Sequence, residues 1–236
     1  MYITPPKRLY ETDDPTAMNT LIDISGSMVP LHEEGIPAEA IKQVMLPALS
    51  GINEVEKNML RISLGTFSEG KIRSVTRKPG YFRIEEIMQM PITKNCFLGN
   101  GRNGITALYG SIIAGIESCT RAAEIIRQQM HFRSARAEVV IITDGEEIAH
   151  NFKPEDVRKT IKSFERSPIK LRVQLAYFNS GVGIDRNKFM RIAKACGLES
   201  ENCHFWADHG TDMSRQKKAF RRLVLLLSDR SKHRLR

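Results

Sequence analysis

Asp23, Ser25 and Ser27 stand at every second position where the apolar run of NTLIDISGSMVP, residues 19–30, gives way to polar and turn-forming residues. Alternate side chains of extended backbone share a side, so the three oxygens can converge on one point as the strand yields to its loop. Gly26 lets the backbone turn closely there. An all-oxygen cluster suits a hard divalent cation such as Mg²⁺, which keeps several waters in octahedral geometry. One D-x-S-x-S is by itself also an ordinary turn, since Asp and Ser are common turn and cap residues. Two further stretches shift that balance: NGITALYGS brings Thr106 to the start of a helical pattern, and VVIITDGEE ends a buried run in Asp144 and Gly145. Three separate loops then offer oxygen ligands.

The elements that must position these loops are legible as apolar runs. TLIDI, LRISLGTF, EVVIITD and LRVQLAYF are each followed by turn-forming or polar residues and then a helical pattern, the rhythm of a parallel sheet. Ile41, Val44, Met45, Ala48, Leu49, Ile52 and Val55 make one apolar stripe on a helix expected over 38–58, kinked at Pro47. KIRSVTR follows the second run after a short SEG turn, which predicts a charged antiparallel edge strand. Leu108, Ile112, Ile116, Cys119, Ala123 and Ile126 line a long helix reaching about Met130. A helix over 154–165, a strand over 171–178, a helix capped by Asp185 and ended by Gly197, and a short strand over 204–207 complete the pattern. Thr211 or Asp212 is expected to cap a last helix whose Met213, Phe220, Leu223, Val224 and Leu227 share a face.

These motifs, in these strand contexts, resemble the von Willebrand factor A family, whose metal-ion-dependent adhesion site is D-x-S-x-S, then a threonine, then an aspartate ending a strand. The resemblance runs from about Met18 to Ser228, with the five positions in order as Asp23, Ser25, Ser27, Thr106 and Asp144. It implies that Ser25, Ser27 and Thr106 ligate directly, and that Asp23 and Asp144 act directly or through water. It also implies a doubly wound α/β fold: a six-stranded, mostly parallel sheet with one antiparallel edge strand and helices on both faces. The domain is expected at 18–229, between an N-terminal extension, 1–17, and a basic tail, 230–236, and to be of an intracellular, bacterial type.

Two local features depart from the family pattern. Ile105 stands where a second glycine often precedes the threonine, and the preceding GNGRNG is rich in Gly and Asn, which predicts a mobile loop carrying Thr106. Glu146 and Glu147 follow Asp144 and Gly145 directly, either as internal ligands or as repellents of an acidic partner, or simply as the start of a helix or a solvent-facing pair. GNGRNG also fits G-x-G-x-x-G, but PITKNCFL does not form the continuous buried strand that a dinucleotide site requires before it.

If the ligands are mainly neutral hydroxyls, a single Mg²⁺, Mn²⁺ or Ca²⁺ keeps much of its charge, and the carboxylate of a partner protein can fill the open position. The expected function is therefore metal-dependent protein docking, with Met28, His32, Gly104 and Glu146 on the partner-binding rim and no catalytic residue. The partner is expected to belong to a multiprotein system, such as an ATPase, kinase/phosphatase, stress or defence complex. Two other readings rank below this. A metal-dependent phosphohydrolase would use His32, Glu33 and Glu34, but such enzymes usually hold their ions with several carboxylates or histidines. A nucleic-acid surface would use the basic C-terminal end, where RQKKAFRR and RSKHRLR concentrate part of a formal charge of +9.

Composition fits a single globular α/β domain: 236 residues, 41% hydrophobic and 27% charged, with no apolar run long enough to span a bilayer. MYITPPKRLYETDD has early prolines and acids where a signal peptide needs a basic start and an apolar stretch, so a cytoplasmic location is expected. The four cysteines are then expected to be reduced. Cys196, Cys203, His204 and His209 lack the close pairing that would support a zinc site.

Overall fold

The computed structural model describes residues 14–68, 71–76, 78–98, 106–145, 151–179, 185–207 and 212–235. Six strands form one sheet: β1 (Thr16–Asp23), β2 (Leu60–Ser68), β3 (Lys71–Ser74), β4 (Ala135–Thr143), β5 (Ile169–Asn179) and β6 (Cys203–Ala207). Their order is β3-β2-β1-β4-β5-β6, all parallel except β3, which runs antiparallel to β2 at the edge. The helices are α1 (Val29–Glu33), α2 (Ile36–Ala40), α3 (Leu46–Ser50), α4 (Glu54–Met59), α5 (Ile84–Met88), α6 (Leu108–Gln129), α7 (Pro154–Lys162), α8 (Arg186–Ala195) and α9 (Met213–Leu235). No helix among the described residues is long and apolar enough to cross a membrane.

Parallel strands need covered faces, and alternation along β1 shows how both are covered. Ala17 and Leu21 face α6 and its neighbours, whereas Met18 and Ile22 face α2, α3 and α9. The carboxyl ends of β1 and β4 flank the place where strand order reverses, and loops there form a crevice. Gly115 lets α6 lie against that centre, since a Cβ there would come within 2.9 Å of Leu21 and 3.1 Å of Val139.

The single kinked helix expected over 38–58 is three pieces. Pro47 cannot donate to Gln43, and its ring crowds the carbonyl there. The chain answers with a π-helical turn over Ile41–Met45, in which Leu46 donates to Ile41, five residues back. The helix then stops at Gly51, and Asn53 starts α4 with a capping box, its side chain accepting from Glu56 N at 2.9 Å.

Boundaries also move outward at both ends. β1 begins at Thr16, and Asp14 ahead of it pairs with Lys170 at 2.7 Å, so the ordered fold starts before residue 18. The segment expected as a separate basic tail continues α9 to Leu235. Inside it, Ser231 is buried and its hydroxyl donates to Glu138 Oε1 at 3.0 Å. A polar contact with the sheet therefore holds this part of the helix.

Candidate metal centre

Asp23 ends β1, and its carboxylate is locked from two sides. Its Oδ1 accepts from the Ser25 backbone N–H at 2.7 Å, and its Oδ2 accepts from the Thr143 hydroxyl at 2.6 Å. That second bond ties the end of β1 to the end of β4. Ser27 closes the third side by donating its hydroxyl to Asp144 Oδ1 at 2.7 Å. A hydroxyl that donates still has lone pairs to offer, so this bond leaves Ser27 able to ligate.

Thr106 arrives from the loop before α6. Its Oγ1 would be 2.6 Å from a Cβ at position 145, so only glycine leaves room for it beside Asp144. The five residues expected to form the site, Asp23, Ser25, Ser27, Thr106 and Asp144, thus converge through Thr143 and Gly145. Asp23, Ser25, Thr106 and Asp144 are almost fully buried, and Ser27 alone is exposed at the mouth.

Burial with Asp144 nearby is costly for Asp23. Loss of solvent pushes its carboxyl from 3.8 up to about 7, opposed by the Thr143 hydrogen bond and reinforced by the Asp144 charge. Asp23 has no ion-pair partner among the described residues. Ser25 Oγ is buried beside that carboxylate yet makes no hydrogen bond of ordinary geometry. A buried hydroxyl with lone pairs to offer, beside a buried carboxylate that has no ion-pair partner among the described residues, is the environment that a hard cation satisfies. The donor set fits the ion, and it is hydroxyl-rich: no cluster of three or more His, Cys, Asp or Glu suited to a metal exists among the described residues.

The rim expected from sequence is corrected at two positions. Met28 is 0% exposed and packs in the core, and His32 is 1% exposed. The imidazole donates from Nε2 to the Asp23 carbonyl at 2.8 Å and stacks on Phe97. Burial pulls its pKa from 6.5 to about 4, so it stays neutral and serves to position Asp23. It faces the protein interior and not the mouth that would admit a substrate, while Glu33 and Glu34 point to solvent. Gly104 and Glu146, with Ile105 and Glu147, lie outside the described residues.

Sequence reasoning missed Thr143. Its hydroxyl bonds Asp23 and accepts from the Gly145 N–H at 3.1 Å, but a threonine in a buried strand reads as ordinary strand composition. The signal that would have found it is a polar residue directly before the strand-ending aspartate. The zinc alternative does not assemble: Cys203 and His204 are adjacent in β6 and point to opposite faces, and His209 lies outside the described residues.

No protein-family description matches this chain, and no curated protein sequence matches it. Solved structures do. Proximal thread matrix protein 1 from the mussel byssus, with a zinc-occupied MIDAS motif, aligns with TM-score 0.57 and 14% identity over 91% of this chain and 48% of that one. The pilus adhesin SpaC from Lactobacillus rhamnosus GG, in its open conformation, aligns with TM-score 0.60 and 10% identity over 94% of this chain and 30% of that one. The TFIIH p34 N-terminal domain aligns with TM-score 0.54 and 9% identity over 90% of this chain and 98% of that one. The chain spans about half the byssus protein and under a third of the adhesin. At such identities the likeness is one of fold: a doubly wound α/β architecture with a six-stranded, mostly parallel sheet, one antiparallel edge strand and flanking helices.

Proposed function

We propose that this chain binds one divalent cation through Asp23, Ser25, Ser27, Thr106 and Asp144 and uses it to dock a carboxylate of a partner protein. The observation that carries this reading is the convergence of the buried Asp23 carboxylate, fixed by Thr143 and the Ser25 N–H, with the hydrogen-bonded Ser27 and Asp144 side chains, in a crevice whose mouth is Ser27. Bound there, the cation would supply a positive charge with a coordination position open to an incoming oxygen.

The chain's own part is to hold its oxygens in place. Thr143 and the Ser25 N–H fix the Asp23 carboxylate, His32 fixes its carbonyl, and Gly145 leaves space for Thr106. Neutral hydroxyls add no negative charge, which favours an acidic partner. Mg²⁺ is the proposed physiological ion, with Mn²⁺ or Ca²⁺ as substitutes. The proposal extends to a cytoplasmic, bacterial setting, to a multiprotein complex of the ATPase, kinase/phosphatase, stress or defence kind, and to the absence of hydrolytic activity.

Calorimetry with Mg²⁺ and Mn²⁺ should show one site, weakened about a hundredfold or more by Asp23→Ala or Asp144→Ala. Unchanged affinity in both variants would overturn the assignment. For a partner recovered on the tagged chain, Ser27→Ala and EDTA should each abolish capture. Lys218→Ala with Arg222→Ala, on the outer side of α9, should change it only modestly through long-range attraction. The reverse ordering would favour a basic-surface mechanism, with nucleic acid as the ligand class to test next.

A further inference from the structure

Beyond the crevice, a groove of about 740 Å³ runs beside the edge strand β3, within the size range of ligand-binding clefts. One wall is formed by Arg73 and Ser74 of β3 with Val75, Thr76 and Lys78 after it. Phe82, Met90 and Leu98 give the other side an apolar character, and Leu98 is 40% exposed. The described lining includes two basic side chains and no carboxylate.

Among the described residues no strand pairs with the outer edge of β3. Val75 donates to Leu64 at 2.9 Å, so by alternation Ile72 and Ser74 turn their N–H and C=O groups away from β2. The wall is also held firmly. Ser74 Oγ accepts from the Thr76 N–H at 3.2 Å, the two hydroxyls lie 2.7 Å apart, and Thr76 Oγ1 donates to Lys78 O at 2.7 Å. Phe82 exchanges two backbone hydrogen bonds with Ile62, at 2.8 and 2.9 Å, which fixes the base of the groove.

We propose that this groove binds a short extended segment of a partner protein, acidic at its flanks and apolar between, which adds as a strand to β3. Backbone pairing with Ile72 and Ser74 would supply affinity, and an apolar side chain would enter between Phe82, Met90 and Leu98. Charge selects the occupant. Lys71 and Arg73 discourage indiscriminate pairing at an edge, but the same charges, with Lys78, favour a strand that carries carboxylates. This surface does not rest on the cation reading, since none of the five site residues lines it.

The test uses the full chain in EDTA and a fluorescent synthetic peptide of alternating leucine and threonine with glutamates at both ends. Saturable anisotropy is expected, with amide shifts at Ile72 and Ser74 in a ¹⁵N spectrum. Arg73→Glu with Lys78→Glu should weaken binding about tenfold or more, as should Leu98→Asp, while Ser27→Ala leaves it unchanged. A lysine-flanked peptide and one interrupted by proline should not bind. Failure of the acid-flanked peptide to saturate, or equal binding by either control, overturns the proposal. Loss of binding in Ser27→Ala, or a requirement for Mg²⁺, would assign the peptide to the cation crevice and overturn the groove while leaving metal-dependent docking intact.

Discussion

Thr143 does what none of the motif residues can do alone: one hydroxyl bonds both Asp23 Oδ2 and the Gly145 N–H, joining two strand ends. Thr143→Val keeps the shape and removes that link, so cation affinity measured by calorimetry should fall about tenfold to a hundredfold while the fold persists. Protons compete for the same carboxylate. Because burial raises the Asp23 pKa to about 7, cation binding should strengthen as pH rises to that value and then level off. Calorimetry in buffers of different ionisation enthalpy should show proton release at pH 6 that has largely vanished by pH 8. In the metal-free chain the stability sign is the usual one for a raised carboxyl: the Asp23 contribution is whole below pH 3.8 and lost as pH climbs through about 7.

At the scale of elements, α9 is fastened by polar contacts at both ends, to the α2 layer near its start and to the sheet near its end. Near its start, Glu39 on α2 pairs with Lys217 and with Arg221, which also reaches Gln43. Near its end, Glu138 on β4 accepts from Arg172 at 3.0 Å, Gln174 at 2.5 Å and Ser231 at 3.0 Å. Glu138→Leu would remove the acceptor that Arg172, Gln174 and Ser231 share and should cost ~3 kcal/mol in urea unfolding. His204 abuts the same network, with its Nε2 3.3 Å from Gln174 Oε1. Burial, aided by Arg230 and Arg172, lowers its pKa from 6.5 to about 4. Its contribution to stability is therefore whole above pH 6.5 and lost as pH falls toward 4. Over that window, unfolding curves of the wild type should lose more stability than those of His204→Gln; parallel losses would show that His204 is not responsible.

For the whole molecule, the crevice is where loops from separate strands meet, so a cation there restrains all of them together. Anything that binds only the folded state raises its stability, by about 2.7 kcal/mol at a hundred times the dissociation constant. Thermal unfolding in Mg²⁺ should therefore show a higher midpoint than in EDTA. Ser27→Ala should erase that difference without lowering the EDTA midpoint, because Ser27 is exposed and outside the core. A lower EDTA midpoint would make the Ser27 to Asp144 bond a structural link in its own right.

The sequence alone determined the sheet, because it rests on local periodicity, and it put forward the oxygen-bearing side chains proposed as ligands. Alternation put Asp23, Ser25 and Ser27 on one side of a strand end, and apolar runs with intervening helical stripes required parallel strands with covered faces. The edge strand was legible in the charges of KIRSVTR, and the cap at Asp185 in its side chain, which accepts from Lys188 N at 2.8 Å. What only the tertiary structure decided were contacts between distant segments. His32 follows the motif closely in sequence, yet its burial depends on Phe97, so no local pattern could move it from the rim to beneath Asp23. Thr143 gained its role from a carboxylate 120 residues away. The supposed tail became the end of a helix because Glu138, on another strand, accepts from Ser231. Periodicity reports which side of an element is buried; the partner that meets it there is set by how the elements pack.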